Sequence, residues 1–230
     1  MNSKIESKNN YKNPKGLEMC FSPEIAEKFS ELEQNEKNFR VAKIVDAVLM
    51  QESANIEGPI YSAELGGGAH PDRYDNFFEK LIVETGHMDW VDVSPFMLEE
   101  AKKYISDEKY QKRREVITFI KKDILEYLRN LEPGKLDIAI MKYTIDHIEN
   151  LEMLFSLLWE KLALGGKFIA TIGITSSELK SYSTNASFYI TVNNFPTMKL
   201  AFCEMGIALL LNFSKCQAIP KPVILKAQKP

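Results

Sequence analysis

The chain has 230 residues, enough for one well-buried α/β domain with an extra element or two. Hydrophobic residues make up 45% and charged residues 27%, an ordinary balance for a soluble globular protein. The net charge of -3 gives no electrostatic reason to expect a nucleic acid partner. Cys20, Cys203 and Cys216 form no CxxC pair and the histidines are scattered, so the pattern implies a reducing compartment and no metal site. The N-terminus is polar, without a secretory signal, and the longest apolar run, 206–213, is too short to span a bilayer. A cytoplasmic protein with no membrane contact is expected.

Residues 1–15 read as a disordered tail, and 16–57 as a helical cap on a single domain running from 16 to 230. Ser22-Pro23-Glu24 is a good helix start, followed by Ile25, Phe29 and Leu32 at helical spacing. A second helix is expected over Asn38–Met50, broken by Ser53–Pro59. The pattern then alternates. Strands are expected at Ile60–Leu65, His87–Val93, Val116–Ile120, Leu136–Met141 and Lys167–Ile172. Helices are expected at Arg73–Glu84 and Pro95–Tyr104, and from a cap at Asn150 with the stripe Leu151, Leu154, Phe155, Leu158 and Leu162, ended by Gly165-Gly166. The basic cluster Lys109, Lys112, Arg113 and Arg114 reads as a solvated helix end or loop. Strand and helix alternating through five strands imply a doubly wound, mostly parallel sheet with helices on both faces. Residues 174–199, rich in Ser, Thr, Asn and Tyr, read as an insertion over the sheet edge that can serve as a lid. Ala208–Phe213 and Val223–Ala227 are expected to close the fold as an antiparallel hairpin across Ile219-Pro220-Lys221-Pro222.

In such a sheet the ligand crevice lies at the carboxyl ends of the strands, where strand order reverses. That rim holds Glu64, Gly66, Gly67, Gly68, Asp92, Asp123 and the stretch Met141 to His147. Consecutive glycines are costly in folding entropy and make sense where a ligand sits against the main chain. Asp92 ends the second strand, where a carboxylate can take both hydroxyls of a ribose. Asp123 follows the third, where an acid can accept from an exocyclic amine and Ile124 can cover a purine face. Trp90 lies inside a strand and reads as core.

These segments resemble the class I S-adenosylmethionine-dependent methyltransferases over roughly residues 40–173. Glu64-Leu65-Gly66-Gly67-Gly68 is similar to the family's acidic-x-Gly-x-Gly loop. Val91-Asp92-Val93-Ser94-Pro95-Phe96-Met97-Leu98 is similar to its ribose-binding strand and following helix, and Phe119-Ile120-Lys121-Lys122-Asp123 to the segment whose acid faces the adenine. Leu136–Met141, His147-Ile148 and Leu162–Phe168 follow in the family's order. The resemblance implies a Rossmann-like sheet of seven strands with an antiparallel C-terminal strand. It implies S-adenosyl-L-methionine as cofactor and S-adenosyl-L-homocysteine as product, with no metal. Cofactor contacts would come from Glu64, Gly66, Gly67, Gly68, Asp92, Val93, Asp123, Ile124 and Met141. If the nucleophile arrives protonated, a base is needed, and His147 is the best candidate because imidazole titrates near neutrality. Asp146 and Tyr143 stand beside it in sequence.

Three departures from the family pattern stand out. His70 replaces the third glycine, the segment His70–Tyr74 lengthens the loop, and Gly67 is smaller than the usual side chain. The fourth strand is followed by Met141-Lys142-Tyr143-Thr144, without the prolines of enzymes that methylate DNA amino groups, so a small-molecule O or N nucleophile is expected. The protein is expected as a monomer or homodimer. Two rival readings are a catalytically silent protein that binds S-adenosylmethionine or S-adenosylhomocysteine, and an NAD-dependent oxidoreductase. The second lacks a Tyr-x-x-x-Lys pair and has Pro71 where its loop needs glycine.

Overall fold

Five apolar runs set the architecture. In a computed structural model, the structure describes residues 22–24, 27, 30–31, 36–142, 144–148, 150–172, 188–192, 195–203, 206–210, 217–219 and 223–228. The five runs become β1 (Tyr61–Leu65), β2 (His87–Asp92), β3 (Ile117–Lys121), β4 (Leu136–Lys142) and β5 (Leu162–Ile172). They pair side by side in the order β3-β2-β1-β4-β5, every pair parallel. Ser62 to Leu65, Met88 to Val91 and Ile138 to Lys142 are all buried, as expected when helices cover both faces.

The helices divide cleanly between the faces. On one side lie α1 (Glu36–Ser53), α2 (Asp75–Val83) and α3 (Pro95–Tyr104), packed through Val45, Leu49, Phe77, Phe78, Leu81, Leu98 and Ala101 onto Met88, Trp90, Ile138, Ile140 and Ile169. After the short α4 (Gln111–Val116), the other side carries α5 (Ile124–Asn130) and α6 (Leu151–Lys161), packed through Leu128, Leu154, Phe155 and Leu158 onto Ala63, Leu65, Val91, Ala139, Met141 and Phe168. This is the doubly wound α/β fold of the sequence reading, with the strand order reversing between β1 and β4.

Caps explain most helix starts. The Ser94 hydroxyl accepts from the Met97 amide, and Asn150 accepts from the Met153 amide. Helix α2 starts at Asp75 rather than Arg73, because Pro71–Arg73 forms a separate tight turn. Its cap is supplied from a distance. The buried Asp46 of α1 accepts from the amides of Asn76 (3.2 Å) and Phe77 (2.9 Å). Helix α6 ends at Lys161, so Gly165-Gly166 lie inside β5 instead of terminating the helix.

The expected C-terminal hairpin is corrected. Gly206–Leu210, which overlaps its first strand, pairs with Phe195–Cys203 and so belongs to a separate antiparallel ladder. That ladder consists of β6 (Phe188–Val192), β7 (Phe195–Cys203) and β8 (Gly206–Leu210). Residues 217–219 and 223–228 are also extended. The tail 1–15 and residues 174–187 of the expected insertion lie outside the described residues. Among the described residues no helix is long and apolar enough to cross a membrane.

A polar knot sits at the other end of the sheet from the glycines. The Tyr61 and Tyr127 hydroxyls each donate to Asp89 Oδ2 at 2.7 Å, and His87 Nε2 lies 3.1 Å from Oδ1. Burial alone would raise the Asp89 carboxyl, but the bonds from His87, Tyr61 and Tyr127 outweigh it and hold it below its ordinary value. Burial, reinforced by Asp89, pushes both tyrosines upward. A depressed carboxyl contributes stability that is present above its unfolded value, about pH 4, and lost as pH falls through the folded value. Asp89→Asn should therefore lower stability at pH 7 by about 2 kcal/mol. It should also flatten the acid limb, as urea unfolding between about pH 7 and pH 3 would read.

Candidate functional site

The carboxyl ends of β1, β2 and β4 meet around Gly66, Gly67 and Gly68. The Gly66 and Gly67 amides both donate to the Val91 carbonyl, at 2.8 and 3.0 Å. The Gly68 amide donates to Asp92 Oδ2 (3.0 Å), and the Gly68 carbonyl accepts from Trp90 Nε1 (2.9 Å). On the other flank the Thr144 hydroxyl lies 3.2 Å from the Gly66 carbonyl and 3.1 Å from that of Lys142. Three successive residues of β2 thus hold three successive glycines.

The three glycines answer to two constraints. Gly66 has φ +80 and Gly68 φ +64, a backbone region that side chains rarely adopt. Gly67 has no such φ; its constraint is space. A Cβ there would overlap the pyrrole ring of Trp90 at Nε1, Cε2 and Cδ1. The fully buried indole therefore leaves no room for a side chain at residue 67. Trp90 is core, as expected, and it also supports the loop.

The predicted acids occupy different environments. Glu64 is fully buried on β1, on the same face as Trp90. Asp92 is half-buried; its Oδ1 accepts from the Ser94 amide (2.8 Å) while Oδ2 holds Gly68. A carboxylate accepts up to about four hydrogen bonds, so these two amides are compatible with ribose hydroxyls. Asp123 is exposed, and its Oδ1 caps α5 by accepting from the amides of Leu125 (2.9 Å) and Glu126 (3.1 Å). Val93 is half-buried just beyond β2, whereas Ile124 and Met141 are packed into the core. His147 is exposed at the end of the turn Ile145–His147 that follows β4. Tyr143 and the Asp146 side chain lie outside the described residues. The structure thus brings Gly66, Gly67, Gly68 and Asp92 together and adds Trp90 and Thr144, which sequence reasoning did not select. A glycine run beside a strand-borne tryptophan was the signal for the first; for Thr144 the signal was its place in the rim stretch Met141 to His147.

The lengthened loop is a junction. His70 is buried, with Nε2 at 3.0 Å from the Ser30 carbonyl and 3.2 Å from its hydroxyl, and Nδ1 at 3.3 Å from Asp72 Oδ1. Its ring packs on Tyr104 with centroids 4.2 Å apart, and the Tyr104 hydroxyl is 3.1 Å from Ser30 Oγ. Burial would raise the Asp72 carboxyl, but the bond to His70 wins and lowers it. Arg113 fastens the far side of the loop: Nη1 donates to the Pro71 carbonyl (3.3 Å) and Nη2 to Asp75 Oδ1 (2.9 Å). Its guanidinium lies over the rings of Phe78 and Tyr110. Arg113 is only 5% exposed, which corrects the solvated reading for that residue, while Lys109, Lys112 and Arg114 are exposed as expected. Among the described residues no group of three or more His, Cys, Asp or Glu side chains is placed to hold a metal ion.

A family model described as a methyltransferase domain matches residues 75–170. A solved structure from Methanococcus maripaludis, described as an S-adenosyl-L-methionine-dependent methyltransferase, aligns with a TM-score of 0.58 at 13% identity, covering 91% of this chain and 94% of that one. The CurJ carbon methyltransferase aligns with a TM-score of 0.53 at 14% identity, covering 81% and 53%. An arsenic(III) S-adenosylmethionine methyltransferase from Chlamydomonas reinhardtii shares 25% identity over 50% of this chain, with a TM-score of 0.42, and the chain spans 39% of that protein's length. No curated protein matches in sequence. The match covers residues 75–170, under half of the chain, and the two structures with TM-scores above 0.5 share its doubly wound α/β fold.

The Trp90–Gly67 contact is testable by a double-mutant cycle. Gly67→Ala should cost about 1–3 kcal/mol through overpacking. In a Trp90→Leu background the same change should cost at least about 1 kcal/mol less. Additive losses in urea unfolding would show that the indole does not set residue 67.

Proposed function

We propose that this protein transfers a methyl group from S-adenosyl-L-methionine to an O or N nucleophile of a small molecule, in the cytoplasm and as a monomer or homodimer. The observation that carries the reading is the seam of Gly66–Gly68 on Trp90, Val91 and Asp92, with Asp92 held by two backbone amides at the strand-order switch. The family match over 75–170 supports it. When bound, the cofactor supplies a methyl group already made electrophilic by a positively charged sulfur.

The chain's own residues then have to bind, orient and exclude water. In this reading Asp92 accepts from both ribose hydroxyls, Asp123 accepts from the adenine amine through the oxygen not used for capping, and the glycine backbone lies along the cofactor. Val93, Ile124 and Met141 shape the floor of the crevice, and Glu64 sets the strand end beneath it. His147, next to the carboxyl end of β4, takes the proton of a protonated nucleophile, with Asp146 and Tyr143 on the same stretch. The segment 16–57 caps the crevice, a role favoured by the Ser30–His70 tie, and 174–199 acts as a lid.

We infer also that the sheet is completed to seven strands with an antiparallel C-terminal strand. Support comes from Val223–Gln228 (β10), aligned antiparallel to β5 from Val223 opposite Ile172 to Gln228 opposite Lys167. Gln217–Ile219 (β9) pairs with β10 in turn.

S-Adenosylhomocysteine should raise the unfolding temperature and NADH should leave it unchanged. Asp92→Ala should weaken S-adenosylhomocysteine at least tenfold, about 1.4 kcal/mol, in calorimetry. Methyl-labelled cofactor incubated with a metabolite extract should label a small molecule. Binding without any labelled product would favour the silent nucleoside-binding protein, and protection by NADH alone would sink both.

A further inference from the structure

We propose that Thr144 is a positioning residue that couples the cofactor side of the crevice to the acceptor side, holding Gly66 with its hydroxyl and the turn that carries His147 with its carbonyl. The inference rests on the cofactor reading above. The Thr144 hydroxyl lies 3.2 Å from the Gly66 carbonyl, across 78 residues of sequence, and 3.1 Å from the Lys142 carbonyl. The Thr144 carbonyl accepts from the His147 amide at 3.0 Å. One half-buried residue therefore touches the glycine loop and closes the turn Ile145–His147.

The hydroxyl does not serve its own turn. A threonine at the start of a helical turn ordinarily gives its side-chain oxygen to that turn's amides. Thr144 occupies the capping position of Ile145–His147, yet its side chain makes no capping bond there. It reaches Gly66 instead, and Gly66 is bare on that side: a Cβ at residue 66 would overlap the Thr144 methyl and hydroxyl. Gly66 is held from two directions, its amide donating to the Val91 carbonyl (2.8 Å) and its carbonyl facing Thr144. The ladder between β1 and β4 runs from Ser62 opposite Ile138 to Glu64 opposite Ile140. Thr144 and Gly66 meet beyond it, at the point where the strand order reverses, and carry the connection between the two chains up to the rim. Ile145 is buried and fixes the turn in the core, while His147 is exposed. A hydroxyl has one hydrogen for two carbonyls, so Gly66 and Lys142 compete for it and a displacement of Gly66 is felt at Thr144.

The chain has three histidines, His70, His87 and His147, few enough to resolve their ring C–H signals by proton NMR, with His147→Gln assigning the third. Saturating S-adenosylhomocysteine should move the His147 signal in the wild type. Thr144→Val keeps the branched shape and removes the hydroxyl. It should cut that movement at least twofold while changing S-adenosylhomocysteine affinity in calorimetry less than about threefold, because Trp90, Val91 and Asp92 still hold the glycines. Thr144→Ser restores the hydroxyl and should restore the movement. Full wild-type movement in Thr144→Val would overturn the proposal, as would a ligand-bound wild type whose His147 signal stays still. A Thr144→Ser protein that fails as Thr144→Val does would make Thr144 a packing residue and overturn it too. Thr144→Ala, which cannot clash, should match Thr144→Val and keeps the test decisive if that variant does not fold. A wild type that does not bind S-adenosylhomocysteine in calorimetry would remove the cofactor reading itself, a result distinct from a binding wild type with an unmoved signal.

Discussion

The register between β1 and β2 carries the site. With Leu65 opposite Val91, the chain leaving β1 runs directly over Trp90, Val91 and Asp92. Each of the three then supplies one kind of contact: an indole N–H to a carbonyl, a carbonyl to two amides, and a carboxylate to an amide. A slip of one residue would turn Trp90 and Glu64 to the opposite face and move Asp92 off Gly68. Both faces of these strands are packed, so such a slip is opposed by the whole core, and the loop inherits that rigidity.

The second layer of organisation comes from far away in sequence. Asp46 caps α2 across 30 residues, and the His70–Ser30 contact spans 40. Arg113 reaches back 42 residues to the Pro71 carbonyl. All three converge on residues 69–77, so the extra loop length is a junction between the N-terminal helices and the sheet rather than a solvent-exposed excursion. Ala69, His70, Pro71, Arg73 and Tyr74 are buried accordingly.

The parallel strands were legible because each is an apolar run bounded by turn residues, and the signals at Ser94-Pro95 and Asn150 are local. The glycine loop and Asp92 were legible for the same reason: the chemistry sits next to the strand that presents it. What escaped was non-local. No local pattern shows that Asp46 will cap another helix or that Arg113 will be buried between two rings. Gly165-Gly166 misled because glycine after a helix also serves close strand contact. The hairpin misled because Gly206–Leu210 and Gln217–Ile219 are both extended, and only tertiary pairing decides which of them neighbours Val223–Gln228.

Fixed carboxylates gather on one side of the strand-order switch. Asp92 and Asp123 are both locked by backbone amides, so their carboxylates are oriented before any ligand arrives, and little side-chain entropy remains to be lost on binding. They lie at the ends of β2 and beyond β3, on one side of the switch point. The buried guanidinium of Arg73 lies on the loop that leaves β1. Each acid thus owes its orientation to a structural task, Asp92 to the glycine loop and Asp123 to a helix end.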